Sequence, residues 1–291
     1  MADRQGIDVS RWQGDINWSK VAKAKDFAII RCTSGRSNAL DSKYPANIKG
    51  ATAQGLPVGV YRYGYATTVA AARAEAAAVL DAIDGYDMPC GVWYDVEDAS
   101  QRKLKGATLT AIIKAFCEAI TEGGYQAGIY CNQDWYDNVL DTGALAEYPF
   151  WVARYGSNDG QMHTKPKIDG TLWGWQYTSK GKVSGISGNV DLDVMYGDYF
   201  GTAGGGSSGS STTTSKGGFD VATLAYIKDG STGAQVRSLQ LLLNGKHKAG
   251  LSVDGIAGPK TVAAIKAYQR EKGLSVDGIA GPKTWTAILT K

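Results

Sequence analysis

The chain has 291 residues, 43% of them hydrophobic and 20% charged, with a net charge of +3. That is enough apolar material for one or two compact domains, and it excludes disorder throughout. The charge is uneven, since residues 1–200 carry 20 Lys and Arg against 23 Asp and Glu, whereas residues 218–291 carry 10 against 5. A cationic tail of this kind is drawn to an anionic polymer, and nucleic acid, an anionic lipid surface and a cell wall all qualify on charge alone.

Taken from the start, Met1-Ala2-Asp3-Arg4-Gln5 lacks the apolar stretch of a secretory signal, and no apolar run reaches 18 residues. The expectation is synthesis as a soluble cytoplasmic protein with no membrane partner. Eight β-rich runs then recur: GIDVS at 6–10, FAIIRCT at 27–33, PVGVYRYGY at 57–65, GVWYDVE at 91–97, QAGIYCN at 126–132, PFWVARY at 149–155, TLWGWQYT at 171–178 and NVDLDV at 189–194. Helix-like stretches separate the first five, among them the Ala-rich 69–83 and a capped run over 108–122. After the fifth strand the spacers become short or Gly-rich. Strand and helix in alternation predict an α/β fold, a TIM-like (β/α)5β3 barrel whose last helices are shortened or missing. A doubly wound sheet is the alternative, but its Gly-rich phosphate fingerprint does not follow the first strand. Cys32, Cys90, Cys117 and Cys131 lie apart in apolar stretches, as buried free thiols do.

Residues 202–218, TAGGGSSGSSTTTSKGG, have the composition of a flexible linker and divide the chain into expected domains at 1–201 and 219–291. Beyond it GLSVDGIAGPKT occurs twice, at 250–261 and 273–284, a period of 23 residues. Each copy supplies an Asp-Gly turn and a Gly-Pro step where a helix can begin. Helices are expected over 234–244, 260–272 and 283–290, a small three-helix unit.

The chemistry concentrates in GVWYDVE. Strand alternation puts Trp93, Asp95 and Glu97 on one face, and in a barrel the inward residues at the C-terminal end of a strand are where catalytic groups stand. Two carboxyls at i and i+2 have Cα atoms about 6–7 Å apart, and each disfavours ionisation of the other, so one can stay protonated near neutral pH. Glycosidic cleavage requires such a pair: an acid for the leaving oxygen and a carboxylate for the anomeric carbon. The DxE pattern is weak by itself. It gains weight because Asp8 on the first strand and Asp191 with Asp193 on the eighth converge on the same rim once the barrel closes. Tyr61, Tyr63, Tyr130, Trp151, Tyr155, Trp173, Trp175 and Tyr177 ring that rim, each able singly to be core packing, together suggesting a carbohydrate groove.

Other chemistries fare badly. His163 and His247 are the only histidines, in different domains, so no metal or cofactor is expected, and no Cys-His peptidase. No P-loop is present, and the tail lacks the aromatic platform of a nucleic-acid binder.

GIDVS at 6–10, GVYRY at 59–63, YDVE at 94–97, and WQYTS with GISGNVDLDV over 175–194 resemble the family 25 glycoside hydrolases, the Chalaropsis-type lysozymes. The resemblance implies five β/α units followed by three strands, and hydrolysis of the β-1,4 bond between N-acetylmuramic acid and N-acetylglucosamine. It implies Glu97 as general acid and Asp95 as the group that orients the substrate's own N-acetyl as it attacks the anomeric carbon. Asp8 and Asp191 complete the acid set, and water activation by either, with inversion, is the rival route. Sugar contacts are expected from Tyr61, Tyr63, Tyr130, Tyr155, Trp175 and Gln176. Where the family often has VDLN this chain has Val190-Asp191-Leu192-Asp193, and the resemblance gives Asp193 no role. The tail resembles the peptidoglycan-binding domain 1 family, so bacterial peptidoglycan is both the expected substrate and the tail's expected ligand. The arrangement is that of phage endolysins, which reach the wall through a holin. A barrel glycosidase acting on chitin-like polymers and a wall-binding protein with an inert barrel are the alternatives.

Overall fold

The computed structural model describes residues 3–196, 200, 227–231 and 234–289. The chain folds as two compact units, residues 1–202 and 203–291. The expected linker at 202–218 lies outside the described residues.

The first unit is a closed barrel. In chain order it holds β1 (Arg4–Val9), a short 3-10 turn (Arg11–Gln13), α1 (Trp18–Val21), β2 (Phe27–Ser34), the two-residue β3 (Ala39–Leu40), α2 (Tyr44–Ala53) and β4 (Val58–Tyr63). There follow α3 (Val69–Ile83), β5 (Val92–Asp95), α4 (Ala99–Arg102), α5 (Gly106–Glu122), β6 (Ala127–Asn132), α6 (Gln133–Asn138), β7 (Phe150–Ala153), β8 (Leu172–Gly181) and β9 (Val190–Met195). The sheet runs β1-β9-β8-β7-β6-β5-β4-β2, and β1 pairs with β2 to close eight strands, with β3 as a short flap on β2. This is the (β/α)5β3 arrangement. Helix α5 begins two residues before the expected Thr108 and has no side-chain cap, its N-cap position being Lys105.

Two differences from the simple alternation bear on the site. Strand β9 runs antiparallel to both β1 and β8. Its first residues, not its last, therefore reach the rim where β1 ends. Strand β8 carries a bulge against β7: Phe150 pairs with Leu172 but Trp151 pairs with Gly174, leaving Trp173 as the extra residue. A bulge of one residue inverts the facing of everything after it.

The core has two layers. Inside the barrel lie Phe27, Ile29, Trp93, Trp151, Trp173 and Met195. Between strands and helices lie the alternate residues, such as Ile30, Val60, Val92, Tyr94, Ile129, Val152 and Val194, packed on Ile112, Phe116 and Val79. Large rings fill so small an interior only because glycine faces them. A Cβ at Gly128 would come within 2.2 Å of the Trp93 ring, and one at Gly6 within 2.3 Å of Phe27. All four cysteines are buried free thiols.

The second unit contains α7 (Ala234–His247), α8 (Pro259–Glu271) and α9 (Pro282–Leu289) around Val236, Leu239, Leu243, Ile265, Tyr268, Trp285 and Ile288. The duplication produces the same clasp twice. Gln240 Nε2 donates to Asp254 Oδ1 (2.8 Å), and its Oε1 accepts from the Gly255 amide (3.0 Å). Gln269 does the same with Asp277 (2.7 Å) and Gly278 (2.9 Å). The repeated motif thus holds turns in place.

Candidate active site

The acids meet at the C-terminal rim of the parallel strands. Asp8 and Asp191 are direct partners across the β1–β9 seam, and Asp193 lies opposite Gly6 one layer deeper. Asp95 closes β5, flanked by Tyr63 on β4 and Tyr130 on β6. Val96 still bonds across to Tyr130 through its amide (2.9 Å), which carries Glu97 just past the strand end. Asp8, Asp95 and Asp193 are buried, while Glu97 and Asp191 are partly exposed.

Side chains below fix these carboxyls. Tyr130 and Tyr155 hydroxyls both donate to Gln176 Oε1 (2.8 and 2.5 Å), which turns Gln176 Nε2 onto Asp8 Oδ2 at 2.6 Å. An amide nitrogen only donates, so Asp8 Oδ2 accepts and any proton on Asp8 belongs on Oδ1. Trp151 Nε1 likewise donates to Asp193 Oδ1 (2.9 Å). Asp95 Oδ1 is buried without a hydrogen-bond partner. No described side chain hydrogen-bonds Glu97.

Burial pushes every one of these acids toward the protonated form, and repulsion from neighbouring carboxylates adds to it for all but Asp191. For Asp8 the causes are burial, then Asp191, Asp193 and Asp95. Asp95 is raised by burial and by Glu97, against the opposing pull of Arg31 and Arg62. Burial raises Glu97, with Asp191 and Asp98 adding to it, and burial lifts Asp191 to about 6. Asp193 is held well above the usual carboxylate range by burial and Asp191. A group of acids that retains protons near neutrality, with Glu97 at its open edge, can give a proton to a leaving oxygen and keep a negative carboxylate nearby.

Of the sugar-contact candidates, Tyr61, Tyr63, Tyr130, Tyr155 and Gln176 reach this rim. The Tyr61 hydroxyl is pushed up by burial and by Asp8, Asp95 and Asp191, and that of Tyr63 by burial and by Glu97 and Asp95, which places both rings among the acids. Trp175 is a correction. The β8 bulge turns it into the outer layer, where it packs on Tyr177 and its Nε1 donates to the Arg154 carbonyl (2.8 Å). Tyr177 shares that fate, while Trp173 points inward as structural filling.

Sequence reasoning missed Arg31. It shares the inward facing of Phe27 and Ile29, its Nε donates to the buried Asp41 (2.8 Å), and its charge acts on Asp95. The signal was a lone Arg at an inward position of an otherwise apolar strand. Also missed was the support behind the β4 and β5 ends, where buried Arg62 donates to Glu75 Oε1 (3.0 Å) and Tyr94 donates to Glu75 Oε2 (2.8 Å). Among the described residues, no group of three or more His, Cys, Asp or Glu side chains is arranged to hold a metal ion, and no helix is long and apolar enough to cross a membrane.

A closed, mostly parallel barrel with clustered, proton-retaining carboxyls at its rim and tyrosines around them is the construction of a glycoside hydrolase. The profile of glycosyl hydrolases family 25 matches residues 7–186, and the chain belongs to that family. A second profile, described as a peptidoglycan binding domain, matches residues 232–288. An autolytic lysozyme of Clostridium acetobutylicum is 30% identical over 267 residues, 91% of this chain and 72% of the relative. A lysozyme of Streptomyces globisporus is 30% identical over 212 residues, 66% of this chain and 68% of its own length. Among solved structures, the lysozyme from Streptomyces coelicolor superposes with a TM-score of 0.57 at 29% identity, covering 68% of this chain and 94% of that one. The catalytic domain of an endolysin from a bacteriophage of Listeria monocytogenes gives 0.58 at 25% identity, covering 67% and 94%. The protein is accordingly a lysozyme-type cell-wall hydrolase with a peptidoglycan-binding domain.

Proposed function

We propose that the chain is an endolysin that cleaves the β-1,4 bond between N-acetylmuramic acid and N-acetylglucosamine, with Glu97 as general acid. The observation that carries this reading is the state of Glu97: partly exposed, free of hydrogen bonds to described residues, and held toward its protonated form by burial and Asp191. Asp95 stands two residues behind it with a buried, unpartnered oxygen that suits an acetamido N–H donor. The substrate's own carbonyl oxygen then attacks the anomeric carbon as Glu97 protonates the departing oxygen. Water hydrolyses the ring so formed, returning its proton to Glu97, and the configuration is retained. Asp8 is already engaged by Gln176, which disfavours it as the base of an inverting route.

Glu97→Gln is expected to lower wall lysis by about 10²-fold or more while leaving wall binding intact. Lysis at the wild-type rate would remove Glu97 from the role. Mass spectrometry of digested walls should find N-acetylmuramic acid at the reducing ends, and proton NMR should find the β anomer first. The tail's similarity to peptidoglycan-binding domains supports wall targeting, and the phage endolysin likeness supports release through a holin at lysis.

A further inference from the structure

The segment that leaves β1 bears a residue that neither the catalytic reading nor the core accounts for. Trp12 lies four residues beyond Asp8 and is 73% exposed, the most exposed large hydrophobic side chain among the described residues. A solitary exposed apolar residue is ordinary on a protein surface and needs no function. Three further observations set this one apart.

The first is rigidity. The turn Arg11–Gln13 is closed by a capping box in which the Trp12 amide donates to Ser10 Oγ (3.3 Å) and the Ser10 amide donates to Gln13 Oε1 (2.9 Å). Gly14 ends the turn at φ 66°, a conformation that L side chains rarely adopt. A four-residue loop so fully bonded holds its tip still, although the ring at that tip packs against nothing in the core. The second is the cation beneath it: the Arg11 guanidinium lies 4.7 Å from the ring centroid. It covers one face of the indole and leaves the rest to solvent. The third is placement, because the turn follows the C-terminal end of β1, the rim on which Asp8, Asp95, Glu97 and Asp191 converge.

We infer that Trp12 is a sugar-stacking platform that holds a pyranose ring of the glycan strand beyond the two residues flanking the cleaved bond. The inference rests on the proposed glycan substrate. The apolar C–H face of a hexosamine ring fits a flat, exposed indole, and a preordered platform loses little freedom when the sugar docks. Arg11 adds a cation beside the carboxylate-bearing groups of a muramyl glycan.

The test uses the full chain. For Trp12→Ala the KM on soluble, uncrosslinked peptidoglycan strands should rise roughly five- to tenfold with a smaller change in kcat, and Trp12→Phe should recover most of the loss. Independently of turnover, titrating Glu97→Gln with the same strands should perturb indole emission, and Glu97→Gln/Trp12→Phe should lose that signal while circular dichroism stays unchanged. Equal KM in the wild type and Trp12→Ala, or an undiminished emission change in the double variant, would overturn the platform. Those outcomes leave the Glu97 assignment standing, whereas strand cleavage by Glu97→Gln at the wild-type rate removes that assignment instead.

Discussion

Burial holds the rim acids toward their protonated forms, and this has a measurable thermodynamic sign. Burial lifts the Asp191 carboxyl to about 6 in the folded barrel, above its usual value of 3.8. A raised carboxyl binds its proton more tightly in the folded state, so its stabilising contribution is present below about pH 4 and is lost as pH rises toward 6. Asp191→Asn is therefore expected to raise stability at pH 7 by on the order of 1–3 kcal/mol, read from urea unfolding, with the gain vanishing near pH 4. Wall lysis should fall in the same variant, the usual exchange of activity for stability at a charged site. An unchanged unfolding midpoint at pH 7 would show that burying the ionised Asp191 carboxylate costs the fold nothing. Asp8, Asp95 and Glu97 were legible in sequence because strand alternation fixes which residues share a face. The Gln176 bridge to Asp8 was not, because it depends on two tyrosines from separate strands meeting one amide oxygen.

At the scale of elements, the eight strands and their order followed from apolar runs and spacer lengths, whereas strand direction and facing did not. Nothing local in NVDLDV says that β9 runs antiparallel. The short hairpin spacing before it is compatible with that direction, and the reversal is what brings Asp191 level with Asp8. Nor does TLWGWQYT announce a bulge, since Trp173 and Trp175 read as one face until Gly174 takes the place opposite Trp151. Glycine makes room for large rings in this interior, Gly128 for Trp93, Gly174 for Trp151 and Gly6 for Phe27. Gly128→Ala should overpack the barrel against Trp93 and cost about 1–3 kcal/mol, a melting-point loss of roughly 2–4 °C per kcal/mol for a unit of this size. A melting temperature equal to wild type would mean that the Trp93 ring can shift within the barrel.

For the whole molecule, separate hydrophobic cores in residues 1–202 and 203–291 imply a division of labour. A chain ending at residue 202 should still cleave soluble glycan strands, yet should cosediment with purified walls more weakly than the full chain, and the difference should shrink as salt screens the tail's cations. Equal cosedimentation would place wall affinity in the barrel. The seam between β1 and β9 carries a different consequence. Within the barrel Asp8 is made almost first and Asp191 almost last, yet the two are cross-strand neighbours. During synthesis the acid cluster is thus incomplete until nearly every barrel residue has been made and the first and last strands have zipped together. A ribosome-bound or prematurely ended chain therefore carries Asp95 and Glu97 without Asp191, one of the groups that hold Glu97 toward its protonated form.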